Sequence, residues 1–386
     1  MMILVSLLIV ALFVLPDYYI WSEFINCNIG MLWSTLYWLP TLAAILLMII
    51  AAVGVYNINR IRIFFGLFTC IAIPKFLFVI SSVLGIAINS ILHVSTNIPN
   101  MVGITLAVIS CVLFAYGFVF GWRMLKVRDI KIESRDLPSE FSGYKILQIT
   151  DLHLGTFENR KKLIRSVVVK VRSLHPDMIV FTGDIVNADA KEIEPYIEIL
   201  SNLKAPDGVI SILGNHDYCK YSRENTTISR LKKNIEAVKS IEAKMGWDLL
   251  LNENRKINRG DSYIYILGVE NDSVPPFPSY GNLKKTIKGI PKDAFKVLLS
   301  HDPTHWRREV LPKTNIQLTL SGHTHGMQLK IGHLSPSRLA FREWGGIYKE
   351  GMQTLCVSLG IGGTVPFRLG AWPEINLITL STMIEE

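Results

Sequence analysis

Residues 144–155 read Tyr-Lys-Ile-Leu-Gln-Ile-Thr-Asp-Leu-His-Leu-Gly, an apolar run that stops at Asp151-Leu152-His153. Such a run, opened by Gly143 and rich in Ile, Leu and Tyr, predicts a strand. A carboxylate and an imidazole then stand in the loop leaving its carboxyl end, where open α/β sheets place their chemistry. Four more loops repeat the arrangement. Met178–Thr182 runs into Gly183-Asp184, and Val209–Leu213 into Gly214-Asn215-His216-Asp217. Lys296–Ser300 runs into His301, and Ile316–Ser321 into Gly322-His323-Thr324-His325. Five loops of this kind can converge on one point.

A pair of divalent metal ions needs carboxylate oxygens, neutral imidazoles and an occasional amide oxygen supplied from separate loops. A shared carboxylate bridges two ions about 3.5–4 Å apart, where together they lower the pKa of a water. The hydroxide so formed attacks phosphorus in line with the leaving oxygen, while charge on the phosphoryl oxygens is neutralised. The five loops hold that inventory: two Asp, one Asn and four His as ligands, with His216 left over as a proton donor. Singly, each element is common by chance. In order, each directly after an expected strand, they point to a metal-dependent hydrolase.

The pattern Asp-x-His, Gly-Asp, Gly-Asn-His-Asp, His, Gly-His-x-His resembles the calcineurin-like metallophosphoesterase superfamily over roughly residues 127–386. The opening Ile149–Gly155 and the closing Pro373-Glu374-Ile375 with Ile378-Thr379-Leu380 are most similar to its membrane-associated bacterial branch. The resemblance implies two packed mixed β-sheets flanked by helices, a four-layer αββα sandwich. It implies Asp151, His153, Asp184 and His325 on one metal, and Asp184, Asn215, His301 and His323 on the other. Asp184 bridges, His216 protonates the leaving group, and Asp217 orients His216, since a carboxylate on the second ring nitrogen fixes the tautomer. The ions implied are two divalent metals, manganese before iron, zinc or magnesium. Two positions depart from the pattern. Asn187 stands where many relatives carry Asp, and Met327 replaces a Gly after the Gly-His-x-His loop.

Between the loops, Leu163, Val167, Val171 and Leu174 recur at helical spacing within 158–174, and Ile193–Leu203 reads as a second helix. Ser229–Met245 is a third, with Leu231, Ile235, Val238 and Ile241 on one side. Val127–Ser134, Ser262–Val269 and Ile375–Leu380 read as strands, the second apolar on both faces. Alternation of strand and helix through 144–321 argues an α/β domain. His93, His175, His305 and His333 lie outside the metal pattern; His305, one helical turn after His301, is expected to serve structure. Cys219 is expected to be a buried thiol, and two cysteines in this half make no disulfide framework.

The first 122 residues differ in kind. They carry only Asp17, Glu23, Arg60, Arg62 and Lys75 as charged residues, in a chain of 386 residues with 49% hydrophobic residues and mean hydropathy of +0.32. Four membrane helices are expected, near residues 2–21, 36–56, 63–92 and 102–122, each about 20 apolar residues long as a span requires. Met1–Pro16 lacks the basic n-region of a cleaved signal. The first loop (22–35) and third loop (93–101) contain no Lys or Arg, whereas Arg60, Arg62, Arg123, Lys126 and Arg128 flank the others. The positive-inside rule then places the amino terminus and everything after residue 122 in the cytoplasm. Lys75, inside the third span, is expected either to meet a lipid phosphate or to snorkel.

Two domains follow: a transmembrane helical domain over 1–122 and a phosphoesterase domain over 123–386. The expected protein is a multi-pass cell-membrane phosphoesterase that cleaves phosphoester or pyrophosphate bonds, with a lipid-linked substrate at the cytoplasmic face as the leading choice. Its net charge of +8 suits anionic substrates and an anionic leaflet. A phosphodiesterase on soluble nucleotides and a non-catalytic metal-binding scaffold coupled to the membrane domain are the alternatives. A transport role is disfavoured because Lys75 is the only polar group seen at depth. No nucleic acid is indicated, and no protein partner can be inferred.

Overall fold

Residues that offer water almost nothing fold here as helices, which satisfy every backbone group internally. The computed structural model describes residues 2–25, 30–53, 58–158, 160–221 and 227–383. The chain divides into two units, Met1–Val119 and Phe120–Glu386. The first contains α1 (Met2–Ile20), α2 (Met31–Val53), α3 (Ile58–Leu67), α4 (Ile73–Leu92) and α5 (Ile98–Val119).

Three stretches among the described residues are long and apolar enough to cross a membrane: Leu32–Ile50, Arg60–Leu92 and Ile98–Arg123. They correspond to the second, third and fourth expected spans. The first expected span falls on α1, where the side chains of residues 2–9 lie outside the description, so three helices rather than four qualify. Cys27 and part of the first loop also lie outside the described residues. The third span is not one straight helix. α3 passes into α4 through a wide turn at Phe68–Ala72, because Pro74 at the start of α4 has no N–H to return to the preceding turn.

Lys75 has a protein partner that neither of its expected roles included. Its Nζ lies 2.5 Å from Oδ1 of the buried Asp17, and 4.6 Å from the centre of the Tyr37 ring. The Asp17 carboxylate also accepts hydrogen bonds from the Thr41 hydroxyl and, at 3.1 Å, from Tyr37. A charge that cannot reach water finds a counter-charge instead.

The second unit is built on two six-stranded mixed sheets. The first has the order β1-β12-β2-β3-β4-β5, from β1 (Lys126–Ser134), β2 (Lys145–Ile149), β3 (Met178–Phe181), β4 (Val209–Ser211), β5 (Asp248–Leu249) and β12 (Glu374–Thr382). The second has the order β10-β11-β9-β8-β7-β6, from β6 (Glu253–Arg259), β7 (Ser262–Gly268), β8 (Lys296–Leu299), β9 (Leu318–Ser321), β10 (Gly346–Glu350) and β11 (Gln353–Val357). β2 to β5 run parallel, as do β7, β8, β9 and β11. Their carboxyl ends therefore lie together at one end of each sheet.

Alternation along the strands builds three apolar layers. Ile146, Val180 and Ile210 of the first sheet pack against Ile264, Val297 and Leu320 of the second. Leu147, Ile179 and Val209 face α6 (Lys161–Ser173) and α8 (Ile228–Lys244). Leu267, Leu298 and Leu355 meet Trp306 and Val310 on the far side. The sandwich thus has helical residues outside both sheets. The helix expected over Ile193–Leu203 is reduced to α7 (Ile197–Leu200), preceded by two tight turns. Pro195 lies inside the second of them, Glu194–Tyr196, in a first-turn position that a proline tolerates.

Candidate functional site

Three of the five loops leave their strand ends in a conformation that ordinary residues avoid. Asp151, His153, Asp184, His323 and His325 have φ of 52°, 45°, 61°, 73° and 51°. Left-handed backbone at non-glycine residues costs roughly 1–3 kcal/mol each and persists only where surroundings impose it, commonly at functional sites. Two glycines permit the close approach. A Cβ on Gly214 would sit 2.3 Å from Asp184 Oδ1, and one on Gly322 would sit 2.2 Å from Asp151 Oδ2.

All seven expected ligand residues come together. His153 Nε2 lies 3.1 Å from His325 Nε2, and Asp151 Oδ1 lies 3.5 Å from His325 Nε2 and 3.9 Å from His153 Nε2. Asp184 Oδ2 lies 3.6 Å from His153 Nε2 and 3.1 Å from His301 Nε2, so its carboxylate stands between two groups of donors. In the second group, His323 Nδ1 lies 2.7 Å from Asn215 Oδ1 and 3.3 Å from His301 Nε2. Asp151-His153-His325 and Asp184-His301-His323 each present donor atoms within 4.8 Å of one another. His153, Asp184 and His216 form a third such set.

Burial sets the charges. It drives His153 down to about 3 and His323 to about 4, and holds His325 well below its usual value, so these rings present neutral lone pairs. Burial pushes Asp151 up to about 7. It acts in the same sense on Asp184, but His301 and His216 outweigh it and hold that carboxyl low. His301 is the exception: burial opposes its charge, yet Asp184 lifts it to about 10. Its Nδ1 donates to the Thr182 carbonyl at 2.7 Å, which leaves Nε2 aimed at Asp184.

His216 is positioned differently from the sequence expectation. Asp217 does not orient its ring. The buried Asp217 carboxylate accepts four backbone N–H groups, from Gly214 at 2.8 Å, Asp184 at 2.7 Å, Ile185 at 2.8 Å and Val186 at 3.3 Å. It ties the Gly-Asp loop to the Gly-Asn-His-Asp loop and has no free oxygen for an imidazole. The Asn187 backbone carbonyl instead accepts from His216 Nδ1 at 2.6 Å. The Asn187 side chain turns away and donates to Thr156 Oγ1 at 3.0 Å. The exchange of Asp for Asn at 187 therefore leaves this contact intact.

Five side chains near the site escaped the sequence reading. The Tyr221 ring stands 4.4 Å from the His216 ring, and its hydroxyl accepts from Asn215 Nδ2 at 2.9 Å. The buried carboxylate of Asp302 lies 3.8 Å from His323 Nε2; adjacency to His301 was its only signal. The buried Arg368 donates to the carbonyls of Leu359 at 2.8 Å, Ala371 at 3.0 Å and Gly362, and lies 3.5 Å from His325 Nδ1. The rings of Phe277 and Phe341 lie 5.0 and 5.4 Å from that of His323. His305 hydrogen-bonds Ser300 at 2.8 Å in the interior, and Cys219 is a buried thiol outside the donor groups.

The family model of calcineurin-like phosphoesterases matches residues 144–327. The chain is 30% identical over 267 residues to the uncharacterised metallophosphoesterase YkuE of Bacillus subtilis, covering 67% of this chain and 86% of that protein. It is 29% identical over 285 residues to a transmembrane protein with metallophosphoesterase domain from Danio rerio, covering 71% of this chain and 61% of that one. An uncharacterised metallophosphoesterase of Aquifex aeolicus is 29% identical over 262 residues, with 66% and 92% covered.

Proposed function

This chain belongs to the calcineurin-like phosphoesterase family, and from that premise we propose a membrane-anchored two-metal phosphoesterase acting on a lipid-linked phosphoester or pyrophosphate at the cytoplasmic face. The observation that carries the proposal is the Asp184 carboxylate, flanked by His153 at 3.6 Å and His301 at 3.1 Å, each leading into its own donor group. The donor set fits hard or borderline divalent cations: carboxylate oxygens, one amide oxygen, and imidazoles of which burial keeps His153, His323 and His325 neutral. Asp151, His153, Asp184 and His325 would hold one ion. Asp184, Asn215, His301 and His323 would hold the other, with manganese the first to test. When bound, such ions lower the pKa of a water and neutralise phosphoryl charge.

The chain's own residues supply the rest. With Nδ1 committed to the Asn187 carbonyl, His216 has Nε2 left to give a proton to the departing oxygen. The Tyr221 ring lies against that imidazole at 4.4 Å, tilted by 40°. Arg368 braces His325 from behind through three backbone carbonyls. The apolar helices of the first unit and the relatives that are transmembrane proteins support a bilayer setting, and the basic residues after the last span support a cytoplasmic one. The test is turnover by the detergent-purified, chelator-stripped chain on a panel of soluble and lipid-linked phosphate esters and pyrophosphates. Activity restored by manganese, iron, zinc or magnesium is expected. A chain that binds metal yet hydrolyses nothing on the panel would reject this function.

A further inference from the structure

The segment after His325 departs from the general burial of the second unit. Residues 327–342 contain no acidic side chain, and Met327, Ile331, Leu334 and Leu339 are 46%, 70%, 64% and 93% exposed. Single exposed apolar residues need no explanation, but several large ones in one short segment mark an interaction site. Ile331 and Leu334 form the neck of a tight hairpin: the Ile331 N–H donates to the Leu334 carbonyl at 2.9 Å and the reverse bond is 3.0 Å. Gly332 makes the turn with φ of 57°.

This hairpin is held firmly. The Lys330 N–H donates to Leu369 at 2.8 Å, the Leu369 N–H donates to Gln328 at 3.0 Å, and the Ser335 hydroxyl donates to Gly326 at 2.7 Å. The segment that receives it is also where the chain enters the second unit. Gly121 lies so close to Arg368 that a Cβ there would meet the Arg368 carbonyl oxygen at 1.9 Å. The residues immediately before this entry form the apolar helix α5. Basic residues alternate with the apolar ones along the chain: Lys330, Arg338 and Arg342 in the segment, the last also 3.6 Å from Glu343, and Arg123 at the entry.

From this continuity and charge we infer that the 327–342 segment is a bilayer-docking element, with Ile331, Leu334 and Leu339 seated in the interface and the basic residues on anionic headgroups. Apolar side chains flanked by Lys and Arg are the chemistry that an anionic lipid surface recognises. Because the segment begins two residues after His325, docking would hold the mouth of the site at headgroup level. The inference concerns lipid contact and stands whether or not hydrolysis is found.

The test places a new tryptophan at Leu334 or Leu339 in the full chain, reconstituted in nanodiscs of brominated or ordinary phosphatidylglycerol. Met352→Trp is the control; Met352 is 55% exposed and precedes β11, whose opposite end approaches the site. Leu334→Trp and Leu339→Trp should lose roughly half or more of the added emission to bromine, as for a side chain about 5–10 Å into the interface. Quenching no greater than that of Met352→Trp would overturn the proposal and leave a protein partner or second copy as the occupant.

Discussion

Asp184 and His216 are neighbours in space with different work, and single substitutions should separate them. Asp184 touches both donor groups and also accepts the His216 N–H at 2.8 Å, so Asp184→Asn should lose bound metal and turnover together. His216→Ala removes only a proton donor, a contribution of about 10²–10⁴-fold, and should keep its metal. Metal content by elemental analysis beside turnover checks both; metal retained in each variant with equal residual activity would contradict the assignment. At this scale the ligands were legible because each stands directly after an apolar run. Asp302, Tyr221, Arg368 and the Asn187 carbonyl were not, since a backbone carbonyl or a distant arginine leaves no local pattern. The expected Asp217–His216 contact failed for a related reason. The family resemblance implied the contact, but four backbone N–H groups from two loops claim the carboxylate.

Between elements, α8 is tied to β4 by a buried carboxyl: the Ser211 hydroxyl donates to Glu242 at 2.5 Å. Burial, with the charge of Asp217 adding to it, pushes Glu242 up to about 8 from the ordinary 4.5. A carboxyl raised on folding favours the protonated form, so it costs nothing below its unfolded value. The cost then grows at roughly 1.4 kcal/mol per unit as pH climbs toward the folded value. The Tm of the detergent-solubilised chain should therefore fall between about pH 5 and about pH 8 by more than that of Glu242→Gln. Parallel falls in the two would remove Glu242 as the cause. The elements themselves were mostly legible from periodicity: α6 and α8 end within a few residues of their apolar patterns. The helix expected over Ile193–Leu203 was not, being reduced to Ile197–Leu200 after a tight turn at Glu194–Tyr196, and the third span widens at Phe68–Ala72 just before Pro74.

For the whole molecule, orientation rests on a handful of basic residues. A reporter fused after Glu386 should behave as cytoplasmic; a reporter active only outside the cytoplasm that lights up there would reverse the topology. The donor residues and the apolar stretches long enough to cross a membrane were written locally, in loops that follow strands and in long stretches without charge, because strand period and hydropathy act over a few neighbouring residues. Pairing across the chain was not. That Lys75 finds Asp17, that Arg368 reaches His325, and that the chain enters beside the segment carrying Ile331 and Leu334 depend on which distant surfaces meet. Close packing and the need to satisfy buried polar groups decide those meetings, and both belong to the assembled fold.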